Sequence, residues 1–122
     1  MNIFKLNVMV FLATLSVDTA LLADDKIKLQ CTTGPIKKKF GDNHWKVYSC
    51  NDNKSVIIVS IPGSSAHPFY FLFYAKKDTY QLHGEGTGSR HASGAAYKEI
   101  RHFKSKEIRK LVRETKNMTK TP

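Results

Sequence analysis

The chain is poor in cysteine, in acid and in long apolar runs. Its 122 residues hold two cysteines, Cys31 and Cys50. That is too few for a disulfide framework, and no further ligands cluster near them to build a zinc site. A lone pair is most simply one disulfide, Cys31 to Cys50, formed in an oxidising compartment and contributing about 3 kcal/mol by restricting the unfolded chain. Acids number 10 against 20 Lys+Arg, a formal charge of +10. A surface so unbalanced points to anionic partners. Only one apolar run is long, and it lies at the N-terminus. Nothing after it could cross a bilayer as a helix, which takes ~20 apolar residues.

That run has the order of a secretory leader. Met1 to Lys5 is short and basic, Leu6 to Val17 is apolar, and Thr19-Ala20-Leu21-Leu22-Ala23 supplies small residues before Asp24-Asp25. A core helix would show a polar face, and none is visible. The expectation is a cleavable signal peptide over 1–23, cut after Ala23 or, second, after Ala20. No cysteine follows to take a lipid. The product would be exported, to the periplasm or beyond the cell, as a single small basic α+β domain of residues 24–122. The leader removes one base, Lys5, and one acid, Asp18, so the charge balance is unchanged.

Residues 24–40 read as polar and lysine-rich, with a short strand at Ile27, Leu29 and Cys31, a turn at Gly34-Pro35 and a solvated run Lys37-Lys38-Lys39. Trp45 to Cys50 alternates, Asn51-Asp52-Asn53-Lys54 is turn chemistry, and Ser55 to Ile61 is β-branched, which together predict a hairpin. Phe69 to Ala75 and Thr79 to His83 predict two more strands, so short links favour an antiparallel meander. Gly84-Glu85-Gly86-Thr87-Gly88-Ser89 then leads to helical spacing: Ala96, Ile100, Phe103, and Ile108, Leu111, Val112, Thr115. Helices are expected over about 93–103 and 106–117, with Ser105 as the second N-cap. The fold class is α+β, a meander of four to five strands followed by two C-terminal helices packed on one face. Both faces of strands 55–61 and 69–75 are apolar. The face turned from the helices must therefore be covered by residues 24–40, by curvature, or by a protein partner on its aromatic side chains.

The strongest functional signal is at the C-terminus, where residues 98–122 hold nine bases against three acids. Lys106, Arg109, Lys110, Arg113 and Lys116 share one helix face, opposite the apolar stripe. Such a face suits an anionic envelope component, a membrane surface or an acidic protein; nucleic acid also fits it, though an exported address speaks against that role. Gly84-x-Gly86-x-Gly88 lacks the parallel βαβ unit of a dinucleotide site and the Gly-Lys-Ser/Thr ending of a P-loop. Ser93-Gly94, at the expected helix start, forms a candidate anion loop. His83, Glu85, Ser89 and His91 near the glycine link would suit a small secreted hydrolase or nuclease if they converged. His83-x-Glu85 lacks the cysteine partner of a zinc deaminase, and no His-x-x-x-His pair offers a metal site. No cofactor or metal is called for.

Two segments resemble exported bacterial inhibitors of c-type lysozyme. Tyr48-Ser49-Cys50-Asn51-Asp52-Asn53-Lys54-Ser55-Val56-Ile57-Ile58-Val59 is similar to their first strand pair, and Ala92-Ser93-Gly94-Ala95-Ala96-Tyr97 to their recognition loop. The resemblance implies an inhibitory loop residue at Ser93, with Lys104 or Lys106 as a second contact. The chain departs from that pattern in lacking Trp-x-Lys-Gly after Phe103 and in placing its second cysteine before the strand pair. Its charge would also oppose docking to a basic lysozyme. The reading that ties these features together is an exported, non-enzymatic binding or envelope-accessory protein. Inhibition of a secreted hydrolase is the alternative.

Overall fold

Alternating apolar and β-branched residues from Trp45 onward build most of a five-stranded sheet, seen in a computed structural model that describes residues 28–120, with side chains to Met118. The leader and its expected cleavage points at Ala20 and Ala23 lie outside the described residues. The strands are β1 (Thr33–Phe40), β2 (Asn43–Ser49), β3 (Val56–Ser60), β4 (Phe69–Lys76) and β5 (Thr79–Gly86), followed by helices α1 (Arg90–Ile100) and α2 (Ser105–Lys120). The sheet order is β1-β2-β3-β4-β5, every neighbour antiparallel. This is the meander with two C-terminal helices.

Period-two alternation sends one set of side chains to the helices. Trp45, Val47, Val56, Ile58, Phe71 and Phe73 are buried there with Ala92, Ala96, Ile100, Ile108, Leu111 and Val112. Phe103, on the link between the helices, stacks on Phe73 at 5.9 Å and meets Phe40 edge-on at 5.8 Å. A polar tie adds to this layer: the Thr115 hydroxyl of α2 lies 2.7 Å from the Ser49 hydroxyl of β2. The β1–β2 turn touches α1 backbone to backbone. A Cβ on Gly41, at φ 65°, would stand 2.8 Å from the Ala96 amide nitrogen, so only glycine allows the approach. The Gly41 amide donates to Glu99 Oε1 of α1 at 2.9 Å. On the opposite face Tyr48, Ile57, Val59, Tyr70, Leu72 and Tyr74 remain half-buried.

Several expected boundaries move. Lys28–Gln30 and Cys31 lie in no strand, so the short strand at Ile27, Leu29 and Cys31 does not form over the described residues. Gly34-Pro35 and Lys37–Lys39 instead belong to β1, an edge strand whose register is irregular between Thr33 and Ile36. Lys38 points to the helix side and pairs with Glu114 of α2 at 3.1 Å. β5 runs on through Gly86, which shortens the glycine link. α1 starts three residues early, capped by the Ser89 hydroxyl, which accepts from the Ala92 amide at 3.3 Å. At α2 the cap is Lys104 rather than Ser105. The Lys104 carbonyl accepts the first helical bond, from Ile108, and its amide donates to Glu107 Oε1 at 2.7 Å.

Cys31 and Cys50 are joined. The bridge ties the approach to β1 to the end of β2. Reduction with dithiothreitol is expected to cost about 3 kcal/mol, seen as a fall of roughly 2 M in the urea midpoint at a slope of ~1.5 kcal/mol/M. An unchanged midpoint would show that the bridge does not restrain the unfolded chain.

The β2–β3 turn carries its own stabilising carboxylate. Asp52 accepts from the Lys54 amide at 2.9 Å, the Ser55 amide at 2.7 Å and the Ser55 hydroxyl at 2.5 Å. Ser55 Oγ in turn accepts from the Ala75 amide of β4 at 2.9 Å. Burial pushes the Asp52 pKa up, but the hydrogen bonds from Ser55 and Lys54 together outweigh it and hold the group below its ordinary value. A depressed carboxylate stabilises the fold above the unfolded pKa of about 3.9 and loses that contribution as pH falls through the folded value. Asp52→Asn should therefore destabilise by about 1 kcal/mol at neutral pH. The gap to wild type should close in urea titrations run progressively below about pH 4; a gap independent of pH would contradict the assignment.

Candidate functional site

The basic face of α2 is built by helical periodicity. Ile108, Leu111, Val112 and Thr115 are buried against β1, β2 and β3, which turns Lys106, Arg109, Lys110 and Arg113 outward, all exposed, with Lys116 half-buried beside them. The two acids of the helix offset this face only in part. Glu114 is paired with Lys38, while Glu107 accepts from the Lys104 amide at the helix start and is outnumbered by the cations around it. Among the described residues no hydrogen bond or ion pair ties down the side chains of Lys106, Lys110 or Arg113. Lys106, Glu107, Arg109, Lys110 and Arg113 line a shallow groove of about 440 Å³. Lys110 and Arg113 also line a second, of about 420 Å³, with Glu114, Lys116 and Asn117. An anionic chain laid along these grooves would meet guanidinium and ammonium groups repeatedly.

Folding adds cations that linear spacing could not assign to this site. The Tyr80 hydroxyl of β5 donates to the Lys54 carbonyl at 2.9 Å, across the end of the sheet where the β2–β3 and β4–β5 turns lie. Burial raises the Tyr80 pKa, the positive charge of Arg109 opposes that rise, and Asp52 adds to it. Arg109 is thus electrostatically coupled to this sheet end, which also carries exposed Lys54, Lys76 and Lys77. The signal in the sequence was two lysine-bearing hairpin turns, legible as basic only once the meander stacks them together.

Ser93 and Gly94 do not form a loop. Both lie within α1; the Ser93 amide donates to the Ser89 carbonyl at 3.0 Å and its buried hydroxyl to the Arg90 carbonyl at 3.4 Å. Their helix face borders a cleft of about 710 Å³ floored by Phe69, Phe71 and Leu82 and rimmed by Tyr97. The residues of the hydrolase reading are not brought together. His83 and Glu85 stand on the face turned from the helices, where Glu85 accepts from the Tyr70 hydroxyl at 3.2 Å, while Ser89 caps α1 and His91 is exposed on it. Among the described residues no group of three His, Cys, Asp or Glu side chains is placed to hold a metal, and no helix is long and apolar enough to cross a membrane. Comparison with protein-family models, curated proteins and solved structures gives no match to this chain.

Proposed function

We propose that this protein is an exported, non-enzymatic binding protein that engages an anionic envelope component or acidic partner through the outer face of α2. The observation that carries the reading is the row Lys106, Arg109, Lys110 and Arg113, outward and exposed around the single acid Glu107, with Glu114 paired to Lys38. Lys116 and the Lys54, Lys76 and Lys77 end of the sheet extend the positive field. Export is supported by the leader pattern of residues 1–23 and by a disulfide of the kind that persists in oxidising compartments. Inhibition of a secreted hydrolase through Ser93 has less support, because that side chain is buried in α1. The deciding experiment is binding to heparin and to duplex DNA, two polyanions of known charge density, at low and high salt. Binding that ignores salt, or none at low salt, would overturn the proposal.

A further inference from the structure

The two edges of the sheet are built differently. β1 carries the devices that keep an edge from pairing: Pro35, a register irregularity, and Lys37, Lys38 and Lys39 in succession. β5 carries none of them. It is eight residues long, holds no proline, lysine or arginine, and keeps an unbroken register with β4 from Phe69 opposite Gly86 to Lys76 opposite Thr79. The phase of its backbone follows from the Thr87 amide, which donates to the Pro68 carbonyl at 2.9 Å. Antiparallel bonding alternates, so Gln81, His83 and Glu85 turn their backbone groups toward β4. Tyr80, Leu82, Gly84 and Gly86 turn theirs to the free edge. No other strand pairs with that edge among the described residues.

We infer that β5 pairs antiparallel with β5 of a second copy, about a two-fold axis at His83, joining the two sheets into one. On the helix side, β5 presents Tyr80 and Leu82 and then Gly84 and Gly86: two large side chains followed by two positions with none. A register centred on His83 sets Leu82 opposite Gly84 of the second copy and Tyr80 opposite its Gly86, so no two large side chains oppose each other on the helix side. It also engages all four outward-facing residues in hydrogen-bonded pairs. Centring on Leu82 instead would set Leu82 against Leu82, and centring on Gly84 would set glycine against glycine. A cleft of about 710 Å³ borders this edge, lined by Gly84, Gly86, Phe69, Phe71, Arg90 and Tyr97. Both glycines are already packed from within: an added Cβ would stand 2.9 Å from the Phe71 ring at Gly84, and at Gly86 it would meet the Pro68 carbonyl oxygen and stand 2.8 Å from the Phe69 ring. The incoming Leu82 would therefore lie beside the Phe71 ring, and Tyr80 beside Phe69 and the Pro68 carbonyl. β5 itself holds no Lys or Arg, its one acid being Glu85, so chains that repel through +10 each bring no cation on the pairing strand. Arg90 is the cation that lines the adjoining cleft. Screening that repulsion favours the dimer, whereas salt weakens polyanion binding, and the two proposals can fail separately.

Sedimentation equilibrium of the purified protein should give twice the monomer mass, more completely at high salt. The register is tested with single cysteines. In a non-hydrogen-bonded antiparallel pair His83→Cys meets its own copy with Cα atoms about 4.5 Å apart, within disulfide reach, and should cross-link under mild oxidation. Gln81→Cys lies roughly 14 Å from its copy by strand rise and should cross-link only when Glu85→Cys is added. Leu82→Pro removes an outward N–H without touching the β4–β5 bonds. It should weaken association at least tenfold beyond Leu82→Ala, with an unchanged far-ultraviolet circular dichroism spectrum. A monomer at every concentration would overturn the inference, as would Gln81→Cys cross-linking as well as His83→Cys. If Leu82→Pro fails to fold, the cysteine pair still decides.

Discussion

Replacing Arg109, Lys110 and Arg113 together by glutamate is expected to abolish retention on heparin and binding to duplex DNA. Three cations are removed and three acids set in their place on the exposed face of α2. If Lys106, Arg109, Lys110 and Arg113 each neutralise one phosphate, the wild-type affinity for DNA should fall roughly a hundredfold between 50 and 200 mM salt, at about −0.9 in the logarithmic slope per contact. The triple variant should leave no such slope to measure. The fold should survive: none of the three side chains is buried, and exposed substitutions away from a cap or ion pair usually stay within about 0.5 kcal/mol each. Far-ultraviolet circular dichroism and the thermal midpoint are the controls. Reversal at Lys54, Lys76 and Lys77 should reduce binding less, because these residues extend the field without lining the grooves. Full retention of a folded triple variant would sink the assignment of α2 and leave the β5 inference untouched.

The parts of the fold that were legible in the sequence are those where local and tertiary signals agree. Trp45 to Cys50 alternates, Ser55 to Ile61 is β-branched, and Asn51 to Lys54 between them is suited to the tight turn, with Asn53 at φ 62°. The apolar spacing of Ile108, Leu111, Val112 and Thr115 announced α2 and, by complement, its basic face. β1 was hidden because three lysines and a proline disfavour strand locally. Its inward side is Ile36, Lys38 and Phe40, where the apolar period is interrupted by a lysine that pairs with Glu114 once α2 packs. The start of α1 was obscured because Arg90 to Gly94 contains serine and glycine, weak helix formers, and no acid in the first turn. The Ser89 cap and the packing of Ala92 and Ala96 override that weakness. For the same reason Ser93-Gly94 read as a loop. The approach of Arg109 to Tyr80 and the cleft beside β5 depend on which strands become neighbours, and linear spacing carries no signal for that.

The largest single loss of stability is expected at Trp45. Its side chain is fully buried, its ring lies 5.4 Å from Phe71, and its indole N–H donates to the Phe40 carbonyl at 3.2 Å. It sits in β2 between Lys38 of β1 and Ser60 of β3, at the centre of the helix-covered face. Trp45→Ala should cost about 3–5 kcal/mol through lost transfer energy and an unfilled cavity. At about 4–8 °C per kcal/mol for a domain of this size, the thermal midpoint should drop by some 15–30 °C. Trp45→Phe keeps much of the packing but removes the indole donor from the Phe40 carbonyl, so about 1–2 kcal/mol of loss should remain in that variant. The difference between the two substitutions separates cavity from hydrogen bond. Circular dichroism must report both, since the chain has one tryptophan. Heparin binding per folded molecule should match wild type, because the basic face lies on the far side of α2 from this core. A Trp45→Ala loss under about 1 kcal/mol, well below the usual range for a buried aromatic, would mean that the helix layer does not close over the sheet as described.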